Sequence, residues 1–259
     1  MKKTVWLVLF IFALSIGVVL SQQTRAAAQG ESLRLVASNG VRPVLQALAA
    51  PAEKAIGHPL ASQFGTTVSL IQKIRAGEAF EVAVLTTEAI DALIKDGKIA
   101  ARSRADVGNV GVGLGVRASA KKPDIGTPDA IKQTLLSAKS ITYAQDGASR
   151  AAIEKMIDDL GIADRAKSKI VLQQGSDAAM ANVAAGKDEV VMTLVSEILQ
   201  APGIELAGPL PTKFQNYVHF AAGVSTNAKN ADAANALVKF LTSPAAAPTY
   251  KAKGIRTAN

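Results

Sequence analysis

Four short polar turns are the part of the sequence best suited to bind a ligand. Each follows a stretch with the composition of a β-strand, and each is rich in hydroxyl, amide or glycine residues. Hydroxyls and the free N–H groups at a helix start donate hydrogen bonds, and the helix dipole there favours negative charge. Together they can hold a small anion. The four turns are Ser38-Asn39-Gly40, Gly65-Thr66-Thr67, Thr86-Thr87 and Asp146-Gly147-Ala148-Ser149-Arg150.

Each turn taken alone also has a purely structural interpretation. Ser, Thr and Asn are ordinary helix N-caps, so any one of these turns is explained without a ligand. The binding hypothesis comes from their recurrence at the carboxyl ends of strands, the edge of an open parallel sheet where ligands bind. We therefore predict that one small anion is held between them. The predicted contacts from the turns are Ser38, Asn39, Gly40, Thr66, Thr67, Thr86 and Ser149.

Two arginines adjoin the turns and bear on the type of anion. Arg150 would lie in the first turn of a helix, where the dipole disfavours a cation unless an anion offsets it. Its guanidinium can fork a carboxylate, but Glu154 lies four residues on and offers an ordinary surface ion pair instead. Arg42 follows the first turn and invites the same argument. The sequence leaves both alternatives open, and both arginines are counted among the predicted ligand contacts.

The composition excludes several kinds of site. The chain of 259 residues has no cysteine and two histidines, His58 and His219. Cysteine nucleophiles, zinc–cysteine clusters and iron–sulfur sites are therefore ruled out, and a multi-histidine metal site is not expected. We predict neither a metal nor a cofactor. Aromatic residues make up 4% of the chain and the lysines are scattered, so a nucleic-acid surface is not expected either.

The hydrophobic pattern of the first half predicts the elements that position the first three turns. Short apolar runs alternate with segments that carry apolar residues at helical spacing. The resulting βαβαβα order indicates a parallel sheet with helices on its faces. The predicted strands cover 33–37, 60–64 and 82–85, and the predicted helices cover 41–56, 68–76 and 88–95.

The second half has the same alternation and predicts a second lobe. It opens on a strand at 110–116, whose alternating glycines are typical of a close-packed strand or a hinge. Further strands are predicted at 141–144, 169–172, 189–194 and 218–224, and helices at 130–137, 150–160, 176–185, 196–200 and 231–241. The predicted fold class is α/β with two lobes, each a mostly parallel sheet flanked by helices. Lobe 1 is predicted to comprise 29–116 and 213–259, and lobe 2 to comprise 117–212.

Residues 1–28 have the order of a secretory signal. Lys2 and Lys3 precede an uncharged apolar run over residues 5–20, and Ala26-Ala27-Ala28 follows as an A-x-A cleavage site. Cleavage after Ala28 is the simplest interpretation. The alternative is an uncleaved N-terminal anchor, for which the apolar run is short. We predict a periplasmic protein, with an extracellular location as the second choice.

The ordered set of motifs resembles the molybdate-binding-like branch of the type II periplasmic solute-binding proteins. The resemblance is carried by the sequences LRLVASNG at 33–40, QFGTT at 63–67 and EVAVLTT at 81–87, and by the closing stretch 231–254. It implies two α/β lobes joined by two crossovers, with the ligand clamped in the cleft. It also implies a partner, the membrane permease of an ABC importer, and a small anionic ligand delivered to it.

Departures from the pattern of that branch bear on the ligand. Molybdate binders of the branch typically have two adjacent serines where this chain has Ser38-Asn39, and a tyrosine near the place of Leu194. The loop 145–150 lacks the usual proline and brings Arg150. An arginine suits an organic carboxylate better than a tetrahedral oxyanion held by neutral donors. The resemblance therefore implies a solute-binding protein for a small anion, and the departures from it predict that this anion is an organic carboxylate.

An enzyme is the second reading of the same resemblance. The chain is also similar to periplasmic aconitate isomerases, which shift the double bond of an unsaturated tricarboxylate on this fold. Such a reaction needs a base beside the bound acid. The candidates are Tyr143, His219 and a lysine at the site, and the sequence does not select among them. Tyr143, in the strand before the fourth turn, is also counted among the predicted ligand contacts.

Overall fold

The computed structural model describes residues 31–258, and the predicted signal sequence lies outside them. No helix in this range is long and apolar enough to cross a membrane. The first half runs β1 (Leu33–Ser38), a 3-10 turn (Asn39–Val41), α1 (Arg42–Ala47), α2 (Ala49–Ile56), β2 (Leu60–Gly65), α3 (Thr67–Arg75), β3 (Val82–Thr86), α4 (Thr87–Lys95) and β4 (Ala105–Arg117), with a second 3-10 turn (Ala101–Ser103) before β4.

The second half continues the alternation of strands and helices. Its elements are α5 (Pro128–Ser137), β5 (Ile141–Ala144), α6 (Arg150–Asp159), α7 (Ala163–Lys167), β6 (Ile170–Gln173), α8 (Ser176–Ala184), β7 (Val190–Leu194), α9 (Val195–Ile198), β8 (Ile204–Pro209), β9 (Tyr217–Val224), α10 (Ala231–Leu241), α11 (Ala247–Ala252) and β10 (Arg256–Thr257).

Two segments differ from the sequence prediction for identifiable reasons. The predicted helix 41–56 is divided into α1 and α2 at Leu48. Pro51 explains the break, because it has no N–H to donate to the carbonyl of Ala47 and its ring clashes there. The strand β8 is absent from the predicted elements, because Gly208 and Pro209 are typical of a connection between elements. It forms by pairing antiparallel with β4, which supplies its hydrogen bonds from a distant part of the chain.

The sheet divides into two halves that share one strand. The strand order is β2-β1-β3-β9-β4-β7-β5-β6. Strands β1, β2 and β3 are parallel in one half, and β5, β6 and β7 are parallel in the other. Residues 105–111 of β4 pair with β9, whereas residues 112–116 pair with β7. This architecture confirms the predicted α/β fold of two lobes, with β4 as one of the crossovers.

Glycines let β4 pass between the lobes in tight packing. A Cβ on Gly113 would lie 2.9 Å from Leu206, and one on Gly115 would lie 2.9 Å from Ile204. Gln215, on the second connection between the lobes, bonds both backbone groups of Val112, accepting from its N at 2.8 Å and donating to its O at 3.0 Å. The change of pairing partner falls at Gly111/Val112. The boundaries at 116/117 and 212/213 stay predictions.

Apolar burial holds the turns on a rigid scaffold. One continuous cluster of buried side chains runs through both half-sheets and includes Leu35, Val110 and Met192. A second cluster, which includes Leu70 and Ile90, lies under α3 and α4. The carboxyl ends of the strands are therefore fixed relative to one another within each lobe.

Candidate functional site

Turns from both lobes meet at one small buried cavity. Its volume is about 20 Å³, which is room for roughly one water-sized group. The turns after β1 and β2 reach it together because these parallel strands are in register, with Ser38 opposite Gly65. This cavity is here called the small cavity. It is lined by Ser38, Asn39, Gly40, Thr66 and Thr67 from lobe 1 and by Gly147, Ala148, Ser149, Ser176, Thr193, Leu194 and Glu197 from lobe 2.

The small cavity contains most of the residues predicted from the turns. They are Ser38, Asn39, Gly40, Thr66, Thr67 and Ser149. Three of the four turns are thus brought to one place by the fold. Their role as ligand contacts stays a prediction. That role requires residues of separate turns to lie close enough to contact one ligand, and they do.

Two buried polar atoms at the small cavity have no hydrogen-bond partner among residues 31–258. They are Oδ1 of Asn39 and Oγ1 of Thr67, whose residues are 8% and 7% exposed. Buried polar groups in folded proteins are nearly always hydrogen-bonded, because an unpaired one costs free energy. The small cavity therefore has hydrogen-bonding capacity that the fold itself does not use.

The two lobes touch around the small cavity through polar contacts. Thr66 Oγ1 donates to Asp146 Oδ2 of lobe 2 at 2.6 Å, and Ser196 Oγ donates to the carbonyl of Gly40 at 2.7 Å. Thr66 also accepts from the backbone N–H of Ser69 at 3.2 Å as the N-cap of α3. It is therefore both a helix cap and a cavity residue, so the two interpretations of its turn are compatible.

Leu194 closes the lobe 2 side of the small cavity. It lies against Gly40, where an added Cβ would come within 2.5 Å of Leu194 Cδ1. A glycine is required at position 40 for this approach. Since Leu194 is buried and apolar, it presents hydrocarbon to this side of the small cavity.

Four of the predicted ligand contacts lie outside the small cavity. Thr86 is at the start of α4 and does not line it. Tyr143 is 2% exposed in the core, and burial raises its pKa to about 12. Arg150 donates to Glu154 Oε1 at 2.8 Å and to the carbonyl of Gln145 at 2.6 Å. The surface ion pair considered for Arg150 is therefore the arrangement found. Arg42, the fourth, pairs with Asp177 across the lobes.

The candidate bases named from the sequence do not line the small cavity. Tyr143 is in the core, and His219 is exposed on β9. The lining contains no lysine or histidine among the described residues. In the same part of the chain, no three Asp, Glu or His side chains are grouped as a metal site.

Glu197 is the titratable residue that the sequence prediction missed. It lies in α9, the short helix after β7, and lines the small cavity while only 7% exposed. Its carboxyl accepts hydrogen bonds from Ser176 Oγ at 2.7 Å and from Thr193 Oγ1. Burial raises its pKa above the usual value, and the hydrogen bonds from Thr193 and Ser176 oppose this only in part. The available signal was positional: Glu197 follows a strand end at the same sheet edge as the other turns.

The chain belongs to a family of bacterial extracellular solute-binding proteins, whose family model matches residues 33–256. It is similar, at 29% identity over 253 residues, to an aconitate isomerase from a Pseudomonas species, covering 94% of this chain and 95% of that protein. It is also 29% identical over 236 residues to the molybdate-binding protein ModA of Azotobacter vinelandii, covering 88% of this chain and 91% of that one.

A solved structure supports the fold. The Azotobacter vinelandii periplasmic molybdate-binding protein has a TM-score of 0.75 to this chain at 19% identity, covering 88% of this chain and 100% of that chain. At this identity the likeness concerns the fold alone. The two-lobe periplasmic-binding-protein fold and the resemblance to the molybdate-binding-like branch are confirmed.

Proposed function

We propose that this protein is a periplasmic solute-binding protein that captures a small organic carboxylate between its lobes and delivers it to an ABC importer. Secretion through the predicted signal, with cleavage after Ala28, would place it in the periplasm. The observation that carries the proposal is the convergence of turns from both lobes on one buried cavity, where Asn39 Oδ1 and Thr67 Oγ1 have no partner within residues 31–258.

The donors at the small cavity suit an anion. The hydroxyls of Ser38, Thr67 and Ser149 can donate, and the Asn39 amide presents N–H₂ after a half-turn about its last torsion. Helices α3 and α6 start at the cavity, so their free N–H groups and dipoles favour negative charge. Neutral donors in a site shielded from water bind an anion without a paired cation.

Two lining residues favour a carboxylate over a tetrahedral oxyanion. Leu194 presents hydrocarbon to the small cavity, so it offers no donor to the further oxygens of a tetrahedral oxyanion. Burial raises the pKa of Glu197, with hydrogen bonds from Thr193 and Ser176 opposing it, so this carboxyl repels an anion less than an exposed carboxylate would. The similarity to an aconitate isomerase, whose name specifies a tricarboxylate, supports the same ligand class.

A binding screen tests this function. The mature chain, residues 29–259, is titrated with trans-aconitate, citrate, acetate, molybdate and sulfate while its thermal unfolding is followed. A ligand at a hundred times its Kd stabilises the native state by about 2.7 kcal/mol. We expect carboxylates to raise the melting temperature most. A response to molybdate or sulfate alone would overturn the carboxylate assignment, and no response to any anion would overturn the site.

Adjacent threonines give a sharper test of the small cavity. Thr67→Val removes a buried hydroxyl that has no partner within residues 31–258, so we expect unchanged stability and a loss of carboxylate affinity of about 1.5–3 kcal/mol. Thr66→Val removes the α3 cap and the bond to Asp146, so it should lower stability by about 1 kcal/mol. The exposed Thr212→Val is the control. Unchanged affinity of Thr67→Val, measured by calorimetry, would contradict the proposed contact.

An isomerase is the second candidate, favoured by the position of Glu197. Its carboxylate would take a proton from the CH₂ carbon of an unsaturated tricarboxylate. The double bond then shifts by one position, and the carboxylic acid returns the proton to the far carbon of the former double bond. A carboxylate whose pKa is raised by burial is a stronger base than an ordinary one, which suits this step. Proton NMR of cis- and trans-aconitate with the protein in D₂O tests it, since turnover exchanges deuterium into the product. Glu197→Gln should remove turnover while binding remains measurable.

A further inference from the structure

A larger cavity adjoins the small one between the lobes. Here called the interlobe cavity, it has a volume of about 560 Å³ and lies between Pro43 of α1 and Met180 of α8. Asn39 and Glu197 line both cavities. These two buried side chains are therefore the partition between the small cavity and the interlobe cavity.

The size and walls of the interlobe cavity fit an organic acid. Small-molecule sites typically measure about 300–1,000 Å³ and have mostly apolar walls with a few polar groups. Pro43, Met180, Ala181 and Ala184 form such walls. The small cavity, at about 20 Å³, has no room for a carbon skeleton. A ligand with several carbons whose anionic end reaches Asn39 must extend into the interlobe cavity.

Among residues 31–258, Arg42 is the one cation that lines the interlobe cavity, and its carboxylate partner there is the exposed Asp177. Arg42 Nη2 lies 2.7 Å from both Oδ1 and Oδ2 of Asp177. The guanidinium has five N–H donors, so Nε and Nη1 each keep a donor for a second carboxylate, and a two-donor edge becomes available where that carboxylate displaces Asp177 from Nη2. The Asp177 side chain is 60% exposed, whereas that of Arg42 is 27% exposed. Water can therefore replace Arg42 as the partner of Asp177 at low cost, since exposed ion pairs contribute little.

We propose that the ligand is a di- or tricarboxylate that occupies both cavities. One carboxylate lies at the small cavity among the hydroxyls, the carbon skeleton crosses the partition, and a second carboxylate binds Arg42 in competition with Asp177. This inference rests on the proposed function and makes Arg42 the residue that selects polycarboxylates over smaller anions. The charge of Asp177 limits the affinity by keeping Arg42 partly neutralised.

Calorimetry on the mature chain tests the role of Arg42. We expect Arg42→Gln to weaken trans-aconitate by about 10- to 150-fold, as for the loss of a hydrogen bond to a charged group. Binding of acetate and molybdate, which end before Arg42, should change by less than about threefold. Arg75→Gln is the matched control. Arg75 forms a comparable pair with Asp96 at 2.8 Å and lines neither cavity.

Asp177→Asn separates a ligand site from an ion pair that only holds the lobes together. If Asp177 competes with the ligand, its neutralisation frees Arg42, and trans-aconitate should bind equally well or more tightly. If the pair merely stabilises the closed arrangement, Asp177→Asn should weaken trans-aconitate as much as Arg42→Gln does. That second result would overturn the inference, and it does not depend on measuring the binding of acetate or molybdate.

The remaining outcomes separate this inference from the proposed function. Binding of trans-aconitate that Arg42→Gln leaves unchanged overturns the second carboxylate site and keeps the carboxylate-binding function. Equal weakening of trans-aconitate and acetate by Arg42→Gln also overturns it, because Arg42 would then act on the whole site. Absence of any anion binding to the unaltered chain overturns the proposed function together with the inference.

Discussion

Each lobe contains a buried glutamate beside its sheet, and the two glutamates have different surroundings. Glu81 precedes β3 at the amino ends of the lobe 1 strands and is 4% exposed. It accepts hydrogen bonds from the backbone N of Arg34 at 2.7 Å and from the Arg34 guanidinium at 2.9 and 3.2 Å. Glu197 follows β7 at the carboxyl end of a lobe 2 strand and has hydroxyl partners, Ser176 and Thr193.

The partners set the charge state of each carboxyl. Burial raises the pKa of Glu81, but the hydrogen bonds and the charge of Arg34 outweigh it and hold the pKa below its usual value. Burial also raises the pKa of Glu197, where hydroxyls compensate only in part and nearby Asp177 adds to the increase. A buried carboxylate with a cation is a fixed part of the fold. A buried carboxyl with neutral partners can still gain or lose a proton, which is a property typical of residues in ligand and active sites.

The largest effect on stability should come from Glu81. Glu81→Gln removes the charge from the bonds to Arg34, so we expect a loss of about 1–3 kcal/mol in unfolding free energy. Affinity for any anion should be unchanged, because Glu81 lies at the sheet edge away from both cavities. Because the pKa of Glu81 is lowered by folding, this stabilisation is present above its unfolded pKa and is lost as the pH falls through the folded value.

Chemical unfolding at several pH values checks the Glu81 prediction. The control is Glu31→Gln, since Glu31 forms an exposed ion pair with Lys229, and little change in melting temperature is expected there. A stability of Glu81→Gln equal to that of the unaltered chain at pH 7 would contradict the structural role of the pair with Arg34.

Glu197→Gln should give a smaller effect with the opposite pH dependence. The pKa of Glu197 is raised by folding, so its favourable contribution is complete below the unfolded pKa and is lost as the pH rises through the folded value. Glutamine keeps the shape and cannot ionise. We expect the melting temperature of Glu197→Gln, relative to the unaltered chain, to increase between pH 4 and pH 8.

Thermal unfolding of both variants across this pH range would sharpen the comparison. The melting temperature relative to the unaltered chain should fall with rising pH for Glu81→Gln and increase with rising pH for Glu197→Gln. If the melting temperature of Glu197→Gln relative to the unaltered chain stayed flat or fell with rising pH, the Glu197 carboxyl would ionise as readily in the folded state as in the unfolded one.

The smallest effect is expected from Arg150. Its guanidinium is occupied by Glu154 and by the carbonyl of Gln145, so Arg150→Ala should change carboxylate affinity by less than about twofold. Arg42→Gln, the variant that tests the second carboxylate site, provides the contrast in the same titration. A loss above tenfold for Arg150→Ala would restore the carboxylate fork that the sequence pattern suggested.

The local pattern of the sequence determined the alternation of strands and helices and the polar turns at the strand ends. Apolar periodicity and capping residues act over a few neighbouring residues, so Thr66, Thr67 and Ser149 could be singled out without a structure. The parallel order of the strands then required that turns such as those after β1 and β2 share one sheet edge. That is why most of the small-cavity lining from the turns could be anticipated.

Contacts between distant segments were decided by the tertiary structure alone. The Arg42 side chain meets Asp177 of α8, which is 135 residues away along the chain, and nothing in the sequence around Arg42 indicates this partner. The burial of Glu197 depends on Ser176 and Thr193 approaching it from α8 and β7. Local propensity does not encode which side chains from remote elements surround a carboxyl, because packing across the sheet and between the lobes sets that environment.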